Sequence, residues 1–196
     1  QTCIAPDYVL VPAGKRDALV AALRKEVQAR YGADLANSGD YTRVVNAGQY
    51  ARLQGYLDDA RARGVETLTL AGIADPAQRL LPPTLLLEPG DDARVMQDEI
   101  FGPLLPIKSY RTLDEAIAYV NAHDRPLALY PFSHDSATVE KILQHTLAGG
   151  VSVNDTLFHF AIGNLPFGGV GPSGIGAYHG RAGFDTMSKQ LRILFQ

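Results

Sequence analysis

The chain has 196 residues, of which 46% are hydrophobic and 20% charged, an ordinary composition for one globular domain or a large domain with a short appendage. Its net charge is −3, and its lysines and arginines form neither a stripe that would bind a nucleic-acid backbone nor a polybasic run that would favour a membrane surface. No apolar stretch approaches the roughly 20 residues of a membrane-spanning helix, and one cysteine excludes an internal disulfide, so we expect a cytoplasmic protein.

Strand-like and helix-like segments alternate through the first two thirds of the chain. A short apolar run at 8–11 precedes a helix predicted over 15–31, and a second helix is predicted over 46–63, with Asn46 as its cap and Gly64 as its stop. The later predicted elements are strands at 67–71, 84–87, 104–109, 127–132 and 151–153, and helices that begin at Thr112 and near Ser136. This alternation predicts an α/β fold with a mostly parallel sheet and helices on both faces.

The pattern G-x-G-x-x-G occurs at 169–174, inside a glycine-rich segment without periodicity that we predict to be a surface or site loop. A dinucleotide-binding fingerprint needs a strand before it, a helix that begins within it and an acidic residue about 20 positions later. Pro172 resists a helix, and the residue at the acidic position is Leu194. We therefore interpret the pattern as a cluster of structural turns.

The last residues, 189–196, alternate weakly between apolar and polar side chains and predict an edge strand with nothing to cover it. An uncovered edge tends to pair with another chain. We therefore predict a C-terminal strand arm that pairs across a homodimer interface. The alternative is a frayed terminus.

Few side chains in this sequence suggest chemistry by themselves. Cys3 could be a nucleophile, but catalysis needs a thiolate, a base and an oxyanion site, and no residue next to it in sequence is a base. Asp98 and Glu99 could form an acid–base pair or be two solvated charges. The turn after Phe101 can hold that ring against a flat surface, either the core or a cofactor. No His, Cys or Asp cluster has the spacing of metal ligands, so we expect no metal site.

Taken together, three segments resemble the second half of an aldehyde dehydrogenase. They are Gln-Thr-Cys-Ile-Ala-Pro at 1–6, which resembles the nucleophile segment, Glu-Ile-Phe-Gly-Pro at 99–103, which resembles the cofactor-contacting motif, and Pro-Phe-Gly-Gly at 166–169 with Ser173, Gly174 and Gly176, which resembles the glycine-rich C-terminal motif. The stretches at 153–155, 176–180 and 184–186 are similar to the branch that contains the dimeric, class-3-type fatty and aromatic aldehyde dehydrogenases.

The resemblance implies a mechanism and a domain organisation. Cys3 would attack a small aldehyde substrate, Glu99 would hydrogen-bond the nicotinamide ribose of NAD or NADP, and Phe101 would pack on the nicotinamide ring. Residues 1–188 would form the catalytic domain and 189–196 the oligomerisation strand of a homodimer. In this family the cofactor-binding domain, the water-activating glutamate and an oxyanion-hole asparagine precede the nucleophile. We therefore expect the isolated chain not to turn over aldehyde.

Two other functions fit the same residues. A thiol hydrolase or acyltransferase would use Cys3 with His159 or His179, and a non-catalytic dimerisation module would keep the fold without the chemistry. Within the aldehyde dehydrogenase reading, NAD and NADP remain alternatives, as do hydrolysis of the thioester by water and its transfer to a thiol such as CoA.

Overall fold

The computed structural model describes all 196 residues, and their contacts divide the chain into two compact units, residues 1–112 and 113–196. The predicted division into a catalytic domain, 1–188, and an arm, 189–196, is a functional one and stays a prediction. No helix combines the length and the apolar character needed to cross a membrane.

The first unit is built around a four-stranded sheet. Its strands are β1 (Val9–Pro12), β2 (Glu66–Thr69), β3 (Thr84–Leu87) and β4 (Leu104–Tyr110), in the order β1-β4-β3-β2. Both β1 and β3 run parallel to β4, whereas β2 is antiparallel to β3. The mostly parallel sheet predicted from the sequence is confirmed.

Helices cover both faces of this sheet. Leu85 clusters with apolar side chains of α1 (Arg16–Tyr31), whereas its neighbour Leu86 clusters with those of α2 (Ala47–Ala62). Because successive residues of a strand point to opposite faces, the two helices lie on opposite sides of the sheet. A short helix, α3 (Arg94–Gln97), then leads to the segment that begins at Asp98.

The limits of α2 agree with the local sequence signals. The Asn46 side chain accepts a hydrogen bond from the Gln49 N–H at 2.8 Å, and Gly64 follows the helix with a φ of +77°. The helix buries a stripe of side chains at helical spacing, formed by Tyr50, Leu53, Tyr56, Leu57 and Ala60. The predicted cap and stop are therefore confirmed.

The second unit has a smaller sheet. Strands β5 (Ala128–Leu129) and β6 (Gly150–Val151) are parallel, and the helices α4 (Leu113–Ala122) and α5 (Ser136–His145) are found in the same unit. Both strands are shorter than the sequence predicted. Pro131 interrupts the first because proline has no N–H to donate, although its carbonyl still accepts a bond from Asn154.

The glycine-rich loop is ordered by backbone pairing. Phe167 and Tyr178 exchange two backbone hydrogen bonds of 2.8 Å, and a 3-10 turn over Gly171–Ser173 takes the place that a helix would occupy in a dinucleotide fingerprint. Two short helices flank this turn, α6 (Phe158–Ala161) and α7 (Gly180–Thr186). The sequence interpretation as a turn cluster agrees with this geometry.

Residues 189–196 adopt neither helix nor strand in the single chain. The predicted arm needs a partner strand in order to form, so it stays a prediction.

Candidate active site

All three predicted site residues lie in the first unit. Cys3 is exposed and sits in a turn closed by a 3.1 Å hydrogen bond from the Ala5 N–H to the Thr2 carbonyl. The next side chain, Ile4, is buried. The buried isoleucine anchors the segment, and the turn leaves the thiol at the surface where a substrate can reach it.

The first residue of this segment is also held. The Gln1 side chain donates to the Arg43 carbonyl at 3.0 Å and accepts from the Val45 N–H at 3.1 Å. Val45 immediately precedes the cap of α2. The nucleophile segment is thus tied at its start to the chain that enters this helix.

The second predicted motif is a turn that presents an acid and an aromatic ring. Ile100 is buried with 1% of its surface accessible, whereas Glu99 is exposed and Phe101 keeps 38% of its surface accessible. A Cβ added to Gly102 would lie 2.5 Å from the Leu53 methyl groups, so the backbone here is pressed against α2. A side chain at this position would have to displace the Leu53 side chain of that helix.

Phe101 has an unusual backbone conformation. Its φ is +48°, in the left-handed region that non-glycine residues rarely adopt, at a cost on the order of 1–3 kcal/mol. Strain of this kind persists only where the surrounding structure holds it, and it is concentrated at functional sites. The fold therefore fixes the direction in which this ring points.

Two side chains that the sequence analysis missed hold the turn. Asp7 Oδ1 accepts the Ile100 N–H at 2.9 Å. From the other side, the Arg52 guanidinium donates to the Glu99 carbonyl at 3.2 Å and to the Ile100 carbonyl at 2.6 Å. These partners are far apart in the chain, so no local pattern predicts them.

Arg52 is itself held by a polar network. It donates to the Gln49 side chain at 2.6 Å and to the Tyr56 hydroxyl at 2.8 Å, and that hydroxyl donates to the Asp98 carboxylate at 2.9 Å. Asp98 therefore has a structural hydrogen-bond partner, whereas the Glu99 side chain is exposed.

The acids around the turn are electrostatically coupled. Partial desolvation of the exposed Glu99 side chain raises the pKa of its carboxyl above the ordinary value, and the nearby charge of Asp7 raises it further. Burial also raises the pKa of Asp7, opposed by the Ile100 N–H and the positive charge of Arg52. Arg52 therefore favours the ionised form of the acid that holds the turn.

Every histidine of the chain lies in the second unit, including the two suggested as bases for Cys3. His159 is buried, its Nδ1 lies 3.0 Å from the Ser152 hydroxyl, and its Nε2 has no hydrogen-bond partner. Burial lowers the pKa of this imidazole, so the neutral form is favoured. The Nδ1 of His179 is also buried without a partner.

The sequence profile of the aldehyde dehydrogenase family matches residues 1–192. The probable coniferyl aldehyde dehydrogenase of Caulobacter vibrioides is 51% identical to this chain, in an alignment that covers all of this chain and 41% of that protein. Aldehyde dehydrogenase family 3 member A2 of Rattus norvegicus is 42% identical, and the alignment covers all of this chain and 39% of that protein. The solved structure of the substrate-bound state of Staphylococcus aureus AldH superposes with a TM-score of 0.89 at 41% identity, covering all of this chain and 43% of that one.

Two further structures carry nicotinamide cofactors. An aldehyde dehydrogenase of Mycobacterium tuberculosis, solved with NAD+, matches 95% of this chain at 27% identity and a TM-score of 0.81. An NADP-dependent glyceraldehyde-3-phosphate dehydrogenase of Bacillus halodurans, solved with NADP, matches 91% at 30% identity and a TM-score of 0.79. The chain spans about two fifths of the length of the curated relatives it matches, 41% and 39%. With one family profile matching nearly all of its residues, this chain belongs to the aldehyde dehydrogenase family.

Proposed function

We propose that the chain is the catalytic segment of an NAD(P)+-dependent aldehyde dehydrogenase, with Cys3 as its nucleophile. The observation that supports this most is the turn at 99–101, where an exposed carboxylate and a half-exposed ring flank a buried residue. A small aldehyde is the substrate. Coniferyl aldehyde or another aromatic aldehyde follows from the name of one relative, and a fatty aldehyde follows from the resemblance to the class-3-type branch.

The reaction begins at the exposed thiol. The ionised Cys3 Sγ attacks the aldehyde carbon, and the carbonyl electrons move to oxygen to give a thiohemiacetal whose oxyanion accepts a hydrogen bond from the Cys3 N–H. NAD(P)+, when bound, supplies the acceptor for the hydride that leaves this carbon. Loss of the hydride restores the carbonyl as a thioester on Cys3. Water then adds to the thioester and loses one proton, the carbon–sulfur bond breaks, and the products are the carboxylic acid, the Cys3 thiolate and that proton.

The residues of the 99–101 turn fit a nicotinamide nucleotide. The exposed Glu99 carboxylate would accept hydrogen bonds from the ribose hydroxyls, and the half-exposed Phe101 ring would offer a face for the nicotinamide. Because the pKa of Glu99 is raised, the accepting carboxylate forms at a higher pH than for an ordinary glutamate. Affinity for the cofactor should therefore rise as the pH rises through that pKa.

Assembly and location complete the proposal. The chain acts in the cytoplasm as part of a homodimer whose interface includes residues 189–196. We expect the 196-residue chain by itself not to oxidise aldehydes, because in the family it resembles the water-activating glutamate and an oxyanion-hole asparagine belong to other segments.

A chimeric enzyme tests this function. Residues 1–196 replace the matched region of the Caulobacter relative, and NAD(P)+ reduction is followed by absorbance with coniferyl aldehyde and with a fatty aldehyde. The unmodified relative is the positive control, and the isolated chain is expected to be inactive. The Cys3→Ala chimera should lose activity by several orders of magnitude. Mass spectrometry should detect an acyl adduct on Cys3 in the parent chimera.

Other outcomes separate the remaining alternatives. Oxidation that survives Cys3→Ala contradicts the nucleophile assignment. Ester hydrolysis without nicotinamide that is lost on substitution of His159 or His179 points to the thiol hydrolase instead. A chimera that folds and dimerises but neither oxidises aldehydes nor hydrolyses esters supports the non-catalytic module.

A further inference from the structure

We propose that Asp7 is a positioning residue that fixes the Glu99–Phe101 turn to the nucleophile segment, with Arg52 holding the other side of the same peptide. The inference rests on the proposed function, because it assigns a role in placing Glu99 and Phe101 relative to Cys3. It concerns residues outside the three-residue site that the sequence predicted.

The peptide group between Glu99 and Ile100 is hydrogen-bonded through both its N–H and its carbonyl. The unit that joins Glu99 to Ile100 donates its N–H to Asp7 at 2.9 Å, and its carbonyl accepts from Arg52 at 3.2 Å. The next carbonyl, that of Ile100, accepts from the same guanidinium at 2.6 Å. Since both partners are charged side chains, each bond is stronger than a neutral one. The plane of this peptide is therefore fixed.

The residue after Ile100 has a strained backbone. Phe101 has its φ at +48° and follows the Ile100 carbonyl that Arg52 holds, while Gly102 behind it lies against Leu53. If the hydrogen bonds to Asp7 and from Arg52 were lost, the Phe101 backbone could relax towards the ordinary negative φ region. This change would turn the Phe101 ring and move the Glu99 side chain with it. The hydrogen bonds to Asp7 and from Arg52 therefore stabilise the conformation in which the Glu99 carboxylate and the Phe101 ring are presented together.

The hydrogen bond from Ile100 to Asp7 also connects the turn to the segment that carries the thiol. Asp7 lies four residues after Cys3, and the intervening Ile4 is buried. Gln1 holds the other end of the same segment through the Arg43 carbonyl and the Val45 N–H. With both ends tied, a shift of the turn and a shift of the nucleophile segment are coupled through one hydrogen bond.

The charge and the hydrogen bond of Asp7 can be separated by mutation. Asp7→Asn keeps an oxygen that can accept the Ile100 N–H but removes the charge, whereas Asp7→Ala removes both. Loss of the charge also removes one of the causes that raise the pKa of Glu99. Asp40→Ala is the matched control, because Asp40 is an exposed carboxylate in the same unit.

The first measurement is amide hydrogen exchange by NMR on the 196-residue chain. Asp7→Ala should speed exchange of the Ile100 amide by about 10- to 100-fold, Asp7→Asn should have a smaller effect, and Asp40→Ala none. Arg52→Met should also speed exchange of the Ile100 amide, because Arg52 holds the carbonyl of the same peptide, and Arg61→Met is its control on the exposed side of the same helix. If the Ile100 amide of Asp7→Ala exchanges at the parent rate, the hydrogen bond to Asp7 does not hold this amide, and the proposed link between the turn and the nucleophile segment is overturned.

The second measurement uses the chimera described above. Asp7→Ala should lower kcat/KM for NAD(P)+ by about 10- to 100-fold, mainly through KM, and Asp7→Asn should restore part of it. The lower pKa of Glu99 in Asp7→Asn should also move the acid limb of the kcat/KM profile to lower pH.

The two measurements separate the possible failures. Faster Ile100 exchange with unchanged kinetics means that Asp7 is only structural, and it overturns the positioning role. A fall in kcat and melting temperature together, with KM unchanged, does the same. An inactive parent chimera overturns the proposed function and the positioning role with it, and the exchange data then still decide whether that link exists.

Discussion

The two units of this chain differ in how they bury their apolar side chains. Of 24 buried hydrophobic residues, 20 lie in residues 1–112, whereas 17 of the 20 exposed large hydrophobic residues lie in residues 113–196. The first unit closes its core between a four-stranded sheet and two helices of 16 residues. The second unit leaves most of the large exposed apolar side chains of the chain in contact with solvent.

The two units obtain their stability from different sources. The first unit has enough buried surface to order the turn at Glu99 and the segment around Cys3. The second has a two-stranded sheet, and a two-stranded sheet is marginal by itself in water. Under the proposed function, its exposed apolar residues are the ones that contacts beyond this chain would cover.

The largest expected effect concerns the tail of the second unit. Deletion of residues 189–196 should convert a dimeric chimera into monomers, because it removes four exposed apolar side chains, Leu191, Ile193, Leu194 and Phe195. Analytical ultracentrifugation measures the outcome over a range of protein concentrations. A dimer that persists with unchanged affinity would show that the tail is a frayed terminus.

Two leucine truncations, one in each unit, compare how much a side chain of each unit contributes to the free energy of unfolding. Leu53→Ala removes a fully buried side chain of α2 and should cost about 2–5 kcal/mol of unfolding free energy. Leu143→Ala removes a side chain that is 46% exposed and should cost less than about 1 kcal/mol. Urea unfolding followed by circular dichroism tests both. Equal losses would contradict the difference between the units.

A pair of glycine substitutions tests the close approach of α2 to the turn. Gly102→Ala places a methyl group 2.5 Å from Leu53 and should cost about 1–3 kcal/mol. Gly163→Ala meets no atom within 4 Å and should be close to neutral. Thermal melts of both variants give the comparison. If Gly102→Ala melts with the parent, the backbone at the turn has more room than the structure gives it.

The smallest effect is a pH dependence in the second unit. The folded pKa of His159 is below its unfolded value of 6.5, so the unfolded state takes up the proton first as the pH falls. The stability present above pH 6.5 should therefore be lost progressively as the pH falls from 6.5 through the folded pKa. His159→Leu should flatten this part of the profile of melting temperature against pH, and His134→Leu, at an exposed position, should not.

The comparison also shows what a sequence can predict. Helix α2 was predictable because its signals are local: the Asn46 cap, the apolar spacing and Gly64. The sheet type followed from the alternation of strands and helices. The predicted strands at 127–132 and 151–153 were too long, because an apolar run does not show the residue at which strand pairing ends.

The site was predictable only in part. Cys3, Glu99 and Phe101 could be named because they belong to short motifs that resemble those of a known family. Asp7 and Arg52 could not, because their partners are 93 and 47 or 48 positions away. Bonds of that kind leave no periodic signal. For the same reason, the backbone pairing of Phe167 with Tyr178 was missed within the glycine-rich loop.

The pairing of β1 with β4 has a consequence for the order of folding. Val9 lies opposite Ile107, so the strand that follows the thiol segment cannot join the sheet until nearly all of the first unit has been synthesised. Closing so long a loop is slow, since its entropy must be lost before the strand contacts compensate. Cys3 is therefore synthesised before β4, and its segment is fixed only after β1 and β4 have paired. Until then the thiol lies on a segment that the sheet does not hold.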